Sequence, residues 1–175
     1  MQKVIVYGSK YGTTKRYADE LSNKTGVKAF AYTDVHNLTT YDKILYLGGL
    51  YAGGVLGLAK TMKQFSINSA QTFIIVTVGL ADPNIQTNTD SIKRAIANQI
   101  PIEIYSKSQI FHLRGGVDYQ KLHYKHKVMM KLLYNKVKNL PPEQQNAETK
   151  ALIDTYNQKV DFVDLDSLSE IIAAF

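Results

Sequence analysis

The sequence has no cysteine. That absence excludes disulfide bridges, thiolate nucleophiles and cysteine-ligated metal centres together, and it suits a cytoplasmic setting. Long membrane-spanning runs are lacking too. The uncharged stretch Ile44 to Ala59 is shorter than the roughly 20 residues a span needs. It also carries Gly48, Gly49, Gly53, Gly54 and Gly57, so it reads as a buried strand running into a glycine-rich loop. Met1-Gln2-Lys3 leads straight into a short apolar run with no cleavage site, so no signal peptide is expected. There is no internal repeat and no low-complexity tract.

Several phosphate-binding signatures are also missing. The dinucleotide fingerprint GxGxxG does not occur, since Gly8 and Gly12 stand four apart. The Walker loop is absent. A response regulator would show acidic residues after its first strand, where this chain has Gly8-Ser9-Lys10.

What is present suffices for a globular core. The 175 residues fit one domain, with apolar residues at 45% and charged residues at 21%. The net charge is +6 and the pI about 9.3. A basic balance points to an acidic partner, an anionic membrane surface or nucleic acid.

Short β-branched runs alternate with helical patterns over the first two thirds. Lys3 to Tyr7, Val27 to Ala31, Lys43 to Leu47, Thr72 to Val78 and Gln109 to Leu113 read as strands. Thr13 or Thr14 is placed to cap a first helix with Ala18 and Leu21 inward, ended by Gly26. Leu58, Met62 and Phe65 mark a second helix. Ile92, Ala95, Ile96 and Gln99 mark a third, stopped by Pro101. Such alternation builds a parallel sheet covered on both faces. In these sheets ligands bind beyond the carboxyl ends of the strands. Those ends fall at Gly8 to Thr14, Gly48 to Gly54, Gly79 to Pro83 and Arg114 to Gly116, all glycine-bearing.

The last third differs. Tyr119 to Lys138 reads as a basic helix, Asn139 to Lys150 as a polar linker and Val160 to Leu165 as an extended segment. The "SLSE" of residues 167 to 170 is a capping box for a final helix with Leu168, Ile171, Ile172 and Phe175 inward.

The stretch "VIVYGSKYGTT" ends a strand and opens a helix. Helix N-termini offer unpaired amides and a positive dipole end to anions. Ser9, Thr13 and Thr14 add hydroxyls and Lys10 adds charge. A plain strand-to-helix turn is the competing reading.

"YGSKYGTT" resembles the phosphate-binding loop of flavodoxins, [ST]-x-T-G-x-T. Ser9, Gly12 and Thr14 fit it, and Tyr11 stands where the family often has threonine. "YDKILYLGGLYAGG" resembles the third strand and first flavin-flanking loop, and "VGLADPN" the second. "FHLRGGVDYQKL" followed by "KVMM" is similar to the branch that includes bacterial menaquinone-dependent protoporphyrinogen oxidases.

The resemblance implies a flavodoxin-like three-layer α/β sandwich: one domain over residues 1–175, a five-stranded parallel sheet in the order 2-1-3-4-5, and residues 117–158 inserted before the last helix. It implies non-covalent FMN, with the phosphate on Ser9, Lys10, Tyr11, Gly12, Thr13 and Thr14. The ring would lie between Leu50, Tyr51, Ala52, Gly53 and Gly54 on one side and Gly79, Leu80, Ala81 and Asp82 on the other. Tyr51 is the expected stacking aromatic. Redox chemistry would be the flavin's own, so no general acid or base is expected. The implied activity is an FMN-dependent, quinone-linked oxidoreductase. The alternative is a soluble carrier with no substrate of its own, passing electrons to a redox partner protein. Classical flavodoxins are usually acidic, which the +6 of this chain departs from.

Three features stay outside that frame. Arg114, with Gly115 and Gly116, sits at a strand's carboxyl end, where it could meet an anionic substrate group or form a surface ion pair. His123 and His126 lack a third ligand, so they read as satisfied or exposed histidines and no metal is expected. The basic helix puts Leu122, His126, Met129, Met130, Leu133 and Val137 on one face, with most lysines elsewhere. It fits an anionic membrane interface over residues 119–138, an acidic partner, an apolar pocket wall beside the flavin, or plain packing on the domain. No nucleic-acid motif occurs, so nucleic acid is not expected. The expected location is cytoplasmic, with a membrane-peripheral variant through this helix.

Overall fold

The computed structural model describes residues 1–51, 53–64 and 70–175, with only the backbone for Gln64 and Ala147. Continuous apolar runs become its buried strands. β1 (Lys3–Gly8), β2 (Ala29–Ala31), β3 (Lys43–Tyr51), β5 (Thr72–Gly79) and β6 (Gln109–Arg114) form the main sheet. Its order is β2-β1-β3-β5-β6, and every pairing along it is parallel. Counting the parallel strands alone, this is the expected 2-1-3-4-5. A short β4 (Gly54–Val55) turns back antiparallel against the end of β3.

Period-two alternation sends side chains to both faces. Val4, Val6, Ile44, Tyr46, Phe73 and Ile75 pack under α2 (Leu58–Gln64) and α3 (Gln86–Ala97). Ile5, Leu45, Leu47, Ile74 and Val76 pack under α1 (Thr13–Thr25) and α7 (Ser169–Ala174). Most of these strand residues are fully buried. Each such aliphatic side chain contributes about 1.5–3 kcal/mol. Register then levels the carboxyl ends: Gly8 pairs with Gly48, Gly48 with Thr77, and Gly79 with Arg114.

Several local expectations change. The N-cap of α1 is Gly12 rather than a threonine. At φ 91° the chain is left-handed there, which suits glycine, and no side chain caps the helix. The second strand is shorter than expected, and α3 ends before Gln99. A short α4 (Ile102–Tyr105) follows Pro101. Phe65 lies outside the described residues.

The larger corrections come after β6. β7 (Gly116–Asp118) pairs antiparallel with β8 (Lys159–Asp161) in a separate two-stranded sheet. The basic helix is interrupted. Asp118 caps a 3-10 turn over Tyr119–Lys121, Leu122 is extended and buried, and α5 (Tyr124–Val137) starts only after His123. The expected linker, Asn139 to Lys150, ends inside α6 (Ala147–Thr155), a helix opened by Asn146, whose side chain accepts the Thr149 amide at 2.8 Å. The capping box does not form. The Ser167 hydroxyl donates to the Asp164 carbonyl, and a 3-10 turn over Asp166–Leu168 leads into α7. Among the described residues, no helix is long and apolar enough to cross a membrane.

Candidate functional site

A cavity of about 490 Å³ opens at the carboxyl edge of the sheet. Three walls come from the loops after β1, β3 and β5. Of the sequence-predicted residues, Ser9, Lys10, Tyr11, Thr13, Thr14, Leu50, Tyr51, Gly53, Gly54, Gly79, Leu80, Ala81, Gly115 and Gly116 line it. Ala52 lies outside the described residues.

One end is a donor cradle. The Gly12 amide donates to Ser9 Oγ at 3.1 Å, so the Ser9 O–H remains free to donate elsewhere. Thr14 is buried beside it. The first turn of α1 holds no acidic residue. Lys15 and Arg16 lie in that turn, paired with Asp19 and Asp161 at 2.6 and 2.7 Å. Free amides, a free hydroxyl and a positive field are what a phosphate needs.

The opposite loops are set by packing. A Cβ on Gly79 would come within 2.6 Å of Leu50 Cδ1, so glycine there lets the β3 and β5 loops close on each other. Gln99 accepts the Val55 amide at 2.8 Å and pins the β4 turn.

Three predicted residues do other work. Gly12 is not on the cavity wall; its amide is spent on Ser9. Asp82 stabilises its own loop, taking the Asn84 amide on its carboxylate at 2.9 Å and the Asn88 side chain on its carbonyl at 2.8 Å. Arg114 does not face the cavity. Its guanidinium lies 3.8 Å from the Phe162 ring centroid and donates to the Leu80 carbonyl at 3.2 Å. It braces the β5 loop and forms no surface ion pair among the described residues.

The fourth wall is Leu122, α5 and α6. Leu122, His126, Met129, Met130 and Leu133 face the cavity from one side, and Glu148, Ala151 and Leu152 from the other. The apolar spacing of α5 announced its face. Nothing in the polar run around α6 announced Ala151 and Leu152.

His126 ties this cover to two loops at once. Its Nδ1 meets the Tyr11 hydroxyl and its Nε2 meets the Tyr51 hydroxyl at 2.8 Å. The Tyr11 oxygen also accepts the His123 amide at 3.3 Å. Each tyrosine hydroxyl can give or take the proton of its bond, and the His126 tautomer sets which ring nitrogen donates. The tyrosine in the phosphate loop thus reaches the cover, a distance the shorter threonine would not span.

Away from the cavity, burial lowers the His112 pKa to about 4, with Lys93 adding a smaller push; its Nδ1 pairs with Thr77 Oγ1 at 2.7 Å.

The flavodoxin-domain family model matches residues 4–143, so the chain belongs to that family. No curated protein matches it. Similar solved structures include a flavodoxin from the domain Archaea, at 15% identity and TM-score 0.46 over 65% of this chain and 83% of that one. A flavoprotein in complex with FMN from Lactobacillus acidophilus has 12% identity and TM-score 0.43 over 65% and 91%. A flavodoxin from Pseudomonas aeruginosa has 17% identity and TM-score 0.41 over 65% and 84%.

Proposed function

We propose that this member of the flavodoxin-domain family holds FMN in the cavity and works as an electron carrier. The observation that carries the reading is the cradle: the Ser9 hydroxyl, Thr14 and the first-turn amides of α1 converge on one end of a cavity walled by the β3 and β5 loops. The donor set fits a phosphate, and the apolar, glycine-bearing walls fit a flat ring. When bound, FMN supplies reversible electron uptake. The chain's residues bind and orient it. Ser9, Thr13 and Thr14 would hold the phosphate, Leu50, Tyr51 and Leu80 would flank the ring, and Gly79 to Ala81 would offer backbone groups to its polar edge. Arg114 keeps that last loop in place through the Leu80 carbonyl.

A second reading is a quinone-linked oxidoreductase akin to the protoporphyrinogen-oxidase branch. The apolar wall of Met129, Met130, Leu133 and Leu152 supports it, because such a wall suits a small apolar reactant beside the flavin.

The first test is the spectrum of the purified protein. Yellow protein releasing FMN is expected; a colourless protein that FMN cannot reconstitute would overturn both readings. Ser9→Ala with Thr14→Ala removes two charge-assisted hydrogen bonds and should weaken FMN by about 100-fold or more. Flavin reduction by a partner reductase without turnover of menaquinone or protoporphyrinogen identifies the carrier. Turnover identifies the enzyme.

A further inference from the structure

The inward face of α5 is accounted for by the cavity; its outward face is not. Tyr124, Val128 and Leu132 recur every four residues there, at 81%, 39% and 66% exposure. At 100° per residue they form one stripe, about 12 Å long, opposite His126, Met130 and Leu133. Lysines border it on both sides: Lys125 and Lys136 along one, Lys127, Lys131 and Lys138 along the other. All five are exposed. Residues 119–138 contain no acidic residue, and none of the ion pairs found among the described residues involves these lysines.

We propose that this face of α5 docks the protein on an anionic lipid surface, with Tyr124, Val128 and Leu132 entering the headgroup boundary and the flanking lysines on the phosphates. The stripe is a convex ridge, not a groove. A bilayer accepts such a ridge along its whole length, whereas a folded partner must offer a matching hollow. Lysines on both borders let the long side chains reach headgroups while their methylenes follow the apolar stripe inward. Because α5 also roofs the cavity, docking would bring the cavity's covered side next to the membrane. The inference does not depend on the identity of the cavity's ligand.

The test uses the whole protein and vesicles of phosphatidylglycerol with phosphatidylcholine, against phosphatidylcholine alone. Co-sedimentation with the anionic vesicles only, weakening as salt rises, is expected. Lys125→Gln with Lys131→Gln should lower affinity about 30-fold, and Tyr124→Ser with Leu132→Asn about tenfold or more. The chain has no tryptophan, so Leu132→Trp introduces a single reporter. Its emission should shift to the blue on anionic vesicles, while that of Ile102→Trp, exposed elsewhere, should not. Wild-type protein that stays in the supernatant at low salt overturns the proposal. So does undiminished binding by the Tyr124→Ser, Leu132→Asn variant, which would mark a contact by charge alone, as with an acidic protein. Unshifted emission from the Leu132→Trp variant overturns it equally.

Discussion

The central strands β1, β3 and β5 bury almost every interior side chain, whereas α5, with more apolar residues than β5, buries none completely. The sheet is held by aliphatic area removed from water on two faces. The cover is held at a few points: the Tyr134 ring stacked on Tyr156 at 3.9 Å, the short β7–β8 ladder, and His126 between two tyrosines. Apolar residues are thus fully buried in one place and left half-exposed in the other. Local opening is governed by buried apolar contact, so the two regions should differ sharply in stability.

The largest test of that difference is Leu45→Ala, at a fully buried position beneath α1. It should cost about 2–5 kcal/mol of global stability. Met130→Ala, in the half-buried cover, should cost less than about 1 kcal/mol. Urea denaturation followed by far-UV circular dichroism measures both. Equal losses would break the comparison, because they would make the cover part of the core.

A second test uses a titrating group in the sheet. His112 is held at about 4, below its ordinary 6.5. The native state resists a proton that the unfolded chain accepts, so stability is full above about pH 6.5 and falls as pH drops toward 4. Discounted for partial exposure, the loss is about 2 kcal/mol. His112→Gln keeps a polar group toward Thr77 without titrating, and should flatten the denaturation profile between about pH 7 and pH 4.5. An unchanged slope would place the acid sensitivity elsewhere.

The same contrast explains what could be read from residues alone. The sheet was legible because a parallel strand writes its burial as a continuous apolar run, and because glycines gather where strands end. Ser9, Thr14, Leu50 and Gly79 followed from that edge. The cover was legible only in part. The spacing of Leu122, Met129, Met130 and Leu133 showed a face, but left open whether it met lipid, a partner or the cavity. α6 was hidden because Ala151 and Leu152 are few and their helix opens on polar residues. The contacts of Arg114 were hidden for a different reason. A cation at a strand end implies an anion, yet its destination was an aromatic ring and a carbonyl contributed by residues 162 and 80, distances that no local pattern carries.

The smallest expected effect is the most specific. His126→Ala removes both hydrogen bonds of the histidine clasp, and Tyr51→Phe removes one of them; Tyr11→Phe removes the other together with the bond from the His123 amide. At about 0.5–1.5 kcal/mol per bond, amide exchange over residues 124–137 should quicken by roughly tenfold in His126→Ala and in Tyr11→Phe, and less in Tyr51→Phe. Exchange in β3 and β5 should stay unchanged, since the clasp adds nothing to the sheet's own burial. His126→Gln sharpens the reading, because the amide side chain offers both a donor and an acceptor and should restore part of the protection. Exchange that accelerates equally in α5 and β5 would mean that the two regions open together, and that the cover is no cover at all. Acceleration confined to α5 would make His126 the group that decides how often the cavity is open to what enters it.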